Sequence, residues 1–123
     1  MRSRRLVAIV DDDESVRESL PDLLKTGGYD AQVFASAIDF LASGAADLAA
    51  CLVVDVYMPI MSGPALQEEL SRRRNTLPLI FMSAHVDAEV RRDLIARGAE
   101  DFLFKPFESE TLLDAIASAI AKS

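Results

Sequence analysis

The sequence predicts an α/β fold with a parallel sheet at its centre, on three observations. Apolar runs alternate with segments of helical periodicity along all 123 residues. Two of the runs, Leu52-Val53-Val54 and Pro78-Leu79-Ile80-Phe81-Met82, are too apolar to have a solvent face, as central parallel strands are. Polar residues stand where the runs end: Asp11-Asp12, Asp55, Ser83 and Lys105. Five strands separated by five helices make a parallel sheet with right-handed crossovers.

The first run, residues 6–10, ends on Asp11-Asp12-Asp13. Asp13 or a neighbour caps a helix whose apolar positions Val16, Leu20, Leu23 and Leu24 share one face. Gly27-Gly28 closes it. Pro21 lies inside, where proline removes a hydrogen bond and costs about 3 kcal/mol unless the helix bends. A kink or an irregular turn is expected there. Residues 29–34 read as a short strand of alternating character. Ser36 caps a second helix through Ile38, Phe40 and Leu41 that runs out near Gly44, and residues 47–50 are a loop into the central strand.

After Pro59, Ile60-Met61-Ser62-Gly63 is a turn, and Pro64 takes the first helical position, where its missing N–H costs nothing. Leu66 and Leu70 carry this helix to Arg72-Arg73-Arg74, a basic end that suits the helix dipole and reads as solvated. Residues 78–82 are the fourth strand. Val86, Val90, Leu94 and Ile95 mark the fourth helix, closed by Gly98. Residues 101–104 form a fifth strand before Lys105-Pro106. A last helix from about Ser109 buries Leu112, Leu113, Ile116 and Ile120.

This length suits one domain, residues 1–123, with a real core. No apolar run approaches the roughly 20 residues of a membrane span. Met1-Arg2-Ser3-Arg4-Arg5 is basic, but aspartates break the apolar stretch behind it, unlike a signal peptide. The single cysteine, Cys51, excludes an internal disulfide and reads as buried and inert. These features point to the cytoplasm. A net charge of −7 argues against nucleic-acid contacts, which need a basic patch, and suggests a cation site instead.

The strand-end residues make a coherent chemistry. Three carboxylates held together raise one another's pKa, and a divalent cation removes that cost. Hard oxygen ligands with open positions suit Mg²⁺. A cation alone leaves Ser83 and Lys105 unexplained. A hydroxyl donor and an ammonium are what phosphoryl oxygens need. Asp55, at the centre, then serves as a nucleophile that becomes an aspartyl phosphate.

Val10-Asp11-Asp12-Asp13-Glu14, Val54-Asp55-Val56-Tyr57-Met58-Pro59 with Gly63, Ser83-Ala84 and Lys105-Pro106-Phe107 resemble the response-regulator receiver domain of two-component signalling, in its FixJ-like branch. The resemblance implies a flavodoxin-like (βα)5 doubly wound sandwich with a five-stranded parallel sheet in the order 2-1-3-4-5. It makes Asp55 the phosphoacceptor. It makes Asp11, Asp12, Asp55 and the backbone carbonyl of Tyr57 ligands of Mg²⁺, with Mn²⁺ an acceptable substitute. Lys105 pairs with the phosphoryl oxygens, and Ser83 donates its hydroxyl and shifts toward them. Phe102 is the switch aromatic that turns inward, and the Lys105-Pro106 bond is cis. Tyr57 and His85, each two residues past a site residue, flank the approach of hydrolytic water, where Tyr57 lengthens the phosphorylated lifetime.

The implied partners are a histidine kinase or phosphotransfer protein, met by the first helix and the loop after the fifth strand. The fourth helix, fifth strand and fifth helix form the output or homodimer face. No effector domain is encoded after Ser123, so the chain reads as a stand-alone receiver or a piece of a longer regulator that controls transcription.

Three other functions fit the sequence less well. A phosphatase of the haloacid dehalogenase type needs an aspartate two residues past the nucleophile, where Tyr57 stands. A flavin protein needs a phosphate loop after the first strand, where the acidic run stands. A receiver-like module that binds partners without phosphorylation fits the fold but leaves the full site without a use.

Overall fold

Five strands alternate with five α-helices along residues 4–122, the part of the chain described by this computed structural model. The strands are β1 Arg5–Val10, β2 Tyr29–Phe34, β3 Cys51–Asp55, β4 Leu79–Ser83 and β5 Asp101–Phe104. The helices are α1 Glu14–Thr26, α2 Ala37–Ser43, α3 Gly63–Arg72, α4 Ala88–Ala96 and α5 Ser109–Lys122. The strand pairings are parallel, in the order β2-β1-β3-β4-β5. This is the flavodoxin-like sandwich that the motifs imply.

Alternation along each strand makes both sheet faces dry. Val7 and Ile9 of β1 pack with Leu20 and Leu24 of α1 and with Leu112 and Ile116 of α5. Ala8 and Val10 pack on the other side with Phe40 of α2, Leu66 of α3 and Leu94 of α4. β3 divides the same way, with Cys51 and Val53 opposed to Leu52 and Val54. Every residue of β3 and β4 is buried. Each large apolar side chain so buried contributes about 1.5–3 kcal/mol. Burial pushes the Cys51 thiol up to about 12, so it is inert as expected.

Side-chain caps start α1, α2 and α3. Asp13 accepts the Ser15 N–H at 2.9 Å, Ser36 the Asp39 N–H at 3.1 Å and Ser62 the Ala65 N–H at 3.2 Å. Gly28, just past α1, has φ +92°, which suits glycine.

The structure departs from the sequence reading in a few places. α1 continues through Pro21 with no irregular turn, because Leu20 and Leu24 on either side are both buried against the sheet. A short 3-10 turn, Ala45–Asp47, stands between α2 and the loop expected at residues 47–50, and its Ala45 enters the core. Ile38 of α2 and Ile95 of α4 belong to the helices they mark in the sequence and are 48% and 41% exposed. Among the described residues, no helix is long and apolar enough to cross a membrane.

Candidate functional site

Parallel strands deliver their carboxyl ends to one sheet edge, and ligands bind where the strand order reverses. Here it reverses between β1 and β3. Val10 pairs with Val54, so Asp11 and Asp55 leave adjacent strands side by side. Asp55 pairs with Met82 and Ser83 with Phe104, which sets Ser83 and Lys105 on the same edge. These residues, with Asp12, Asp13, Tyr57, Ala84 and His85, line a cleft of about 280 Å³. The sequence-predicted set is thus brought together, except Phe102, which lies in the core behind it.

Asp11 is only 1% exposed, and its polar atoms are engaged. Its Oδ1 accepts the Asp13 N–H at 2.9 Å and its Oδ2 accepts from Lys105 Nζ at 2.7 Å. The same ammonium lies 3.2 Å from Asp55 Oδ1. One cation therefore bridges two buried carboxylates from neighbouring strands. Exposed Asp12 completes a trio whose carboxylate oxygens lie within 4.8 Å of one another. Three hard oxygen donors at an open cleft fit a small divalent cation that keeps part of its water shell.

The electrostatics follow from this crowding. Burial pushes the Asp55 carboxyl up, and the charges of Asp11 and Asp12 push the same way against Lys105. For Lys105, burial works against the charge. The hydrogen bond to Asp11 and the charges of Asp55 and Asp11 outweigh it, so the ammonium is held above its ordinary range.

The backbone beyond β3 is set by a close approach. The Gly63 N–H donates to the Val56 carbonyl at 3.0 Å. A Cβ on Gly63 would collide with the Asp55 carbonyl oxygen and lie 2.9 Å from the Phe81 ring. Only glycine lets the loop close against the strand that carries Asp55. The Lys105-Pro106 bond is cis, as the resemblance implies.

Ser83 is 2% exposed, and its hydroxyl is engaged with His85: it donates to the carbonyl and accepts from the N–H, both at 3.3 Å. Phe102 is already inward, its ring 6.4 Å from Phe81 and 5.2 Å from Phe104. With no hydroxyl, it leaves no polar group unsatisfied there. Tyr57 is exposed at the cleft, as is His85.

Two residues escaped the sequence reading. Arg17 of α1 donates to the Asp11 carbonyl at 2.9 Å. Gln67 of α3 is buried and donates to the Leu94 carbonyl of α4 at 3.2 Å. The signal for Arg17 is faint: a cation one turn into a helix that starts at the acidic cluster. Gln67 gives none, because a polar residue at that position reads as solvated.

Known proteins resemble the chain along nearly its whole length. A model of the response regulator receiver domain matches residues 7–117. The transcriptional regulatory protein TdiR of Thauera aromatica is 44% identical over 115 residues, covering 94% of this chain and 51% of TdiR. FixJ of Azorhizobium caulinodans is 37% identical over 117 residues, covering 95% of this chain and 56% of that protein. The chain thus spans about half the length of these relatives. Among solved structures, the response regulator StyR superposes with a TM-score of 0.89 at 40% identity, covering 98% of this chain and 61% of that one. FixJ-N does so at 0.87 and 34% identity, covering 99% and 98%. The sheet order, the acidic cleft and these matches agree, and the chain belongs to the response regulator receiver domains of two-component systems.

Proposed function

We propose that this chain is a phosphorylation-controlled switch in which Asp55 accepts a phosphoryl group from a histidine kinase, a phosphotransfer protein or a small phosphodonor. The observation that carries the reading is the half-buried ammonium of Lys105, 2.7 Å from Asp11 and 3.2 Å from Asp55 at the end of the central strand. An Asp55 oxygen attacks phosphorus in line with the leaving group. The donor's bond to phosphorus breaks, its electron pair leaves with the donor atom, and Asp55 becomes an acyl phosphate. Lys105 Nζ pairs with phosphoryl oxygens, and Ser83 turns its hydroxyl from His85 to one of them. Asp11, Asp12, Asp55 and the Tyr57 carbonyl would hold Mg²⁺ or Mn²⁺, which would supply charge neutralisation when bound. Water later attacks phosphorus and restores Asp55, so the chain assists its own dephosphorylation and turns over no external substrate.

Ser83 and Phe102 carry the change outward. Phe102 already packs inward, so capture of the Ser83 hydroxyl secures that position rather than creating it. Exposed Ile95 and Phe104, with the Arg91 guanidinium 5.9 Å from the Phe104 ring, give the α4-β5-α5 face its contact groups for a homodimer or an output partner. TdiR and FixJ are named transcriptional regulators and are about twice as long. An output domain joined to a receiver unit of residues 1–123 and acting in the cytoplasm fits that pattern. The receiver itself contacts no nucleic acid. Tyr57 and His85 flank the water approach, and Tyr57→Ala shortens the phosphorylated lifetime; an unchanged lifetime removes Tyr57 from that role.

Intact mass after incubation with acetyl phosphate, with and without Mg²⁺, tests the reading. A Mg²⁺-dependent gain of one phosphoryl group, absent in Asp55→Asn, is expected. No gain in folded protein points to a binding module that works without phosphorylation.

A further inference from the structure

The loop that carries Asp11 and Asp12 is held at Asp11 and Asp13, on either side of Asp12. The Asp11 N–H donates to the Phe34 carbonyl of β2 at 3.1 Å. Asp11 Oδ1 takes the Asp13 N–H, and Oδ2 takes Lys105 Nζ. Asp13 in turn accepts from both the N–H and the hydroxyl of Ser15, which fixes the first turn of α1. The remaining anchor is the Asp11 carbonyl, and it accepts from half-buried Arg17 Nη1 at 2.9 Å. Asp12 itself is exposed, and its carboxylate makes no hydrogen bond or ion pair among the described residues.

The Asp11 carbonyl and the Asp12 N–H belong to one planar peptide unit. Holding that carbonyl therefore sets the backbone direction from which the Asp12 side chain departs. We infer that Arg17 is a positioning residue for the cation site: its guanidinium pins the Asp11–Asp12 peptide so that the Asp12 carboxylate stands within 4.8 Å of those of Asp11 and Asp55. Without that anchor the Asp11–Asp12 peptide is free to turn and carry the Asp12 carboxylate away from the other two, and the site must order the backbone on binding. The inference rests on the proposed function, since it takes the trio to be a cation site.

Charge and position predict opposite signs here. Arg17 carries a positive charge near the acidic trio, so Coulomb repulsion alone makes its removal tighten cation binding. Positioning makes its removal weaken binding, by about tenfold, as loss of a group that orients a metal ligand does. The variant Arg17→Met keeps the aliphatic stem and removes the donor and the charge together.

The test is Mg²⁺ titration of the wild type, Arg17→Met and Arg17→Lys by calorimetry, with melting curves on each. The expected result is a dissociation constant raised about tenfold in Arg17→Met, with the cooperative melt retained. If Arg17→Met fails to fold, Arg17→Lys, which keeps the charge and loses the planar fork, gives the reading by weakening in the same direction. Unchanged or tighter binding in a folded variant overturns the inference. Absence of Mg²⁺ binding in the wild type overturns the cation-site reading beneath it, and acetyl phosphate labelling of Asp55 tests the phosphoacceptor separately.

Discussion

At the residue scale, the site is a contest between burial and charge. Asp55 is 8% exposed, and its carboxyl is pushed up by burial first and by two like charges after it. A group whose folded pKa lies above its unfolded one favours the fold only while protonated. The contribution is present below the unfolded pKa and lost as pH rises through the folded one. At neutral pH the ionised Asp55 therefore costs stability in metal-free protein. Asp55→Asn should be the more stable protein at pH 7 in chelator, and its advantage should shrink as pH falls into the carboxylate range. Urea titrations across pH check this, and a less stable variant at pH 7 would mean that the Lys105 pairing outweighs burial. Lys105 is opposite in use: its raised pKa contributes stability at neutral pH that disappears only in alkali.

The candidate site residues Asp11, Asp55, Ser83 and Lys105 were legible because each stands where an apolar run ends, so a linear pattern carried a spatial one. Arg17 and Gln67 were not, because each acts on a backbone carbonyl whose position only the fold creates. The Ser83 hydroxyl's bond to His85 was equally invisible, since it too is made to a backbone carbonyl that only the fold places.

At the element scale, β3 and β4 were legible because continuous burial leaves continuous apolarity. The caps at Ser36 and Asp13 were legible because a side chain accepting from its own next turn is a local event. At Pro21 local propensity argues for a kink or an irregular turn, and α1 stays continuous there because the sheet holds the turns on both sides. Its missing N–H still leaves the Arg17 carbonyl without its helical partner. Pro21→Ala should stabilise the protein by about 2 kcal/mol, the helix-interior cost of proline less what its rigidity takes from the unfolded chain. Equilibrium unfolding checks this, and a neutral or destabilising result would mean that α1 is shaped around the ring.

At the scale of the whole molecule, alternation of strands and helices sufficed for a parallel sheet but not for its order. The order β2-β1-β3-β4-β5 followed only from resemblance, because apolar periodicity carries no information on which strand lies beside which. That order is what makes the site: exchange any two central strands and Asp11, Asp55 and Lys105 no longer meet. The central claim is that this convergence turns Asp55 into a phosphoacceptor. The most direct test is borohydride reduction of protein treated with acetyl phosphate and Mg²⁺, followed by peptide mapping. The account predicts homoserine at position 55 and unmodified aspartate at positions 11 and 12. Homoserine at 11 or 12, or at none of the three in folded protein, would contradict it.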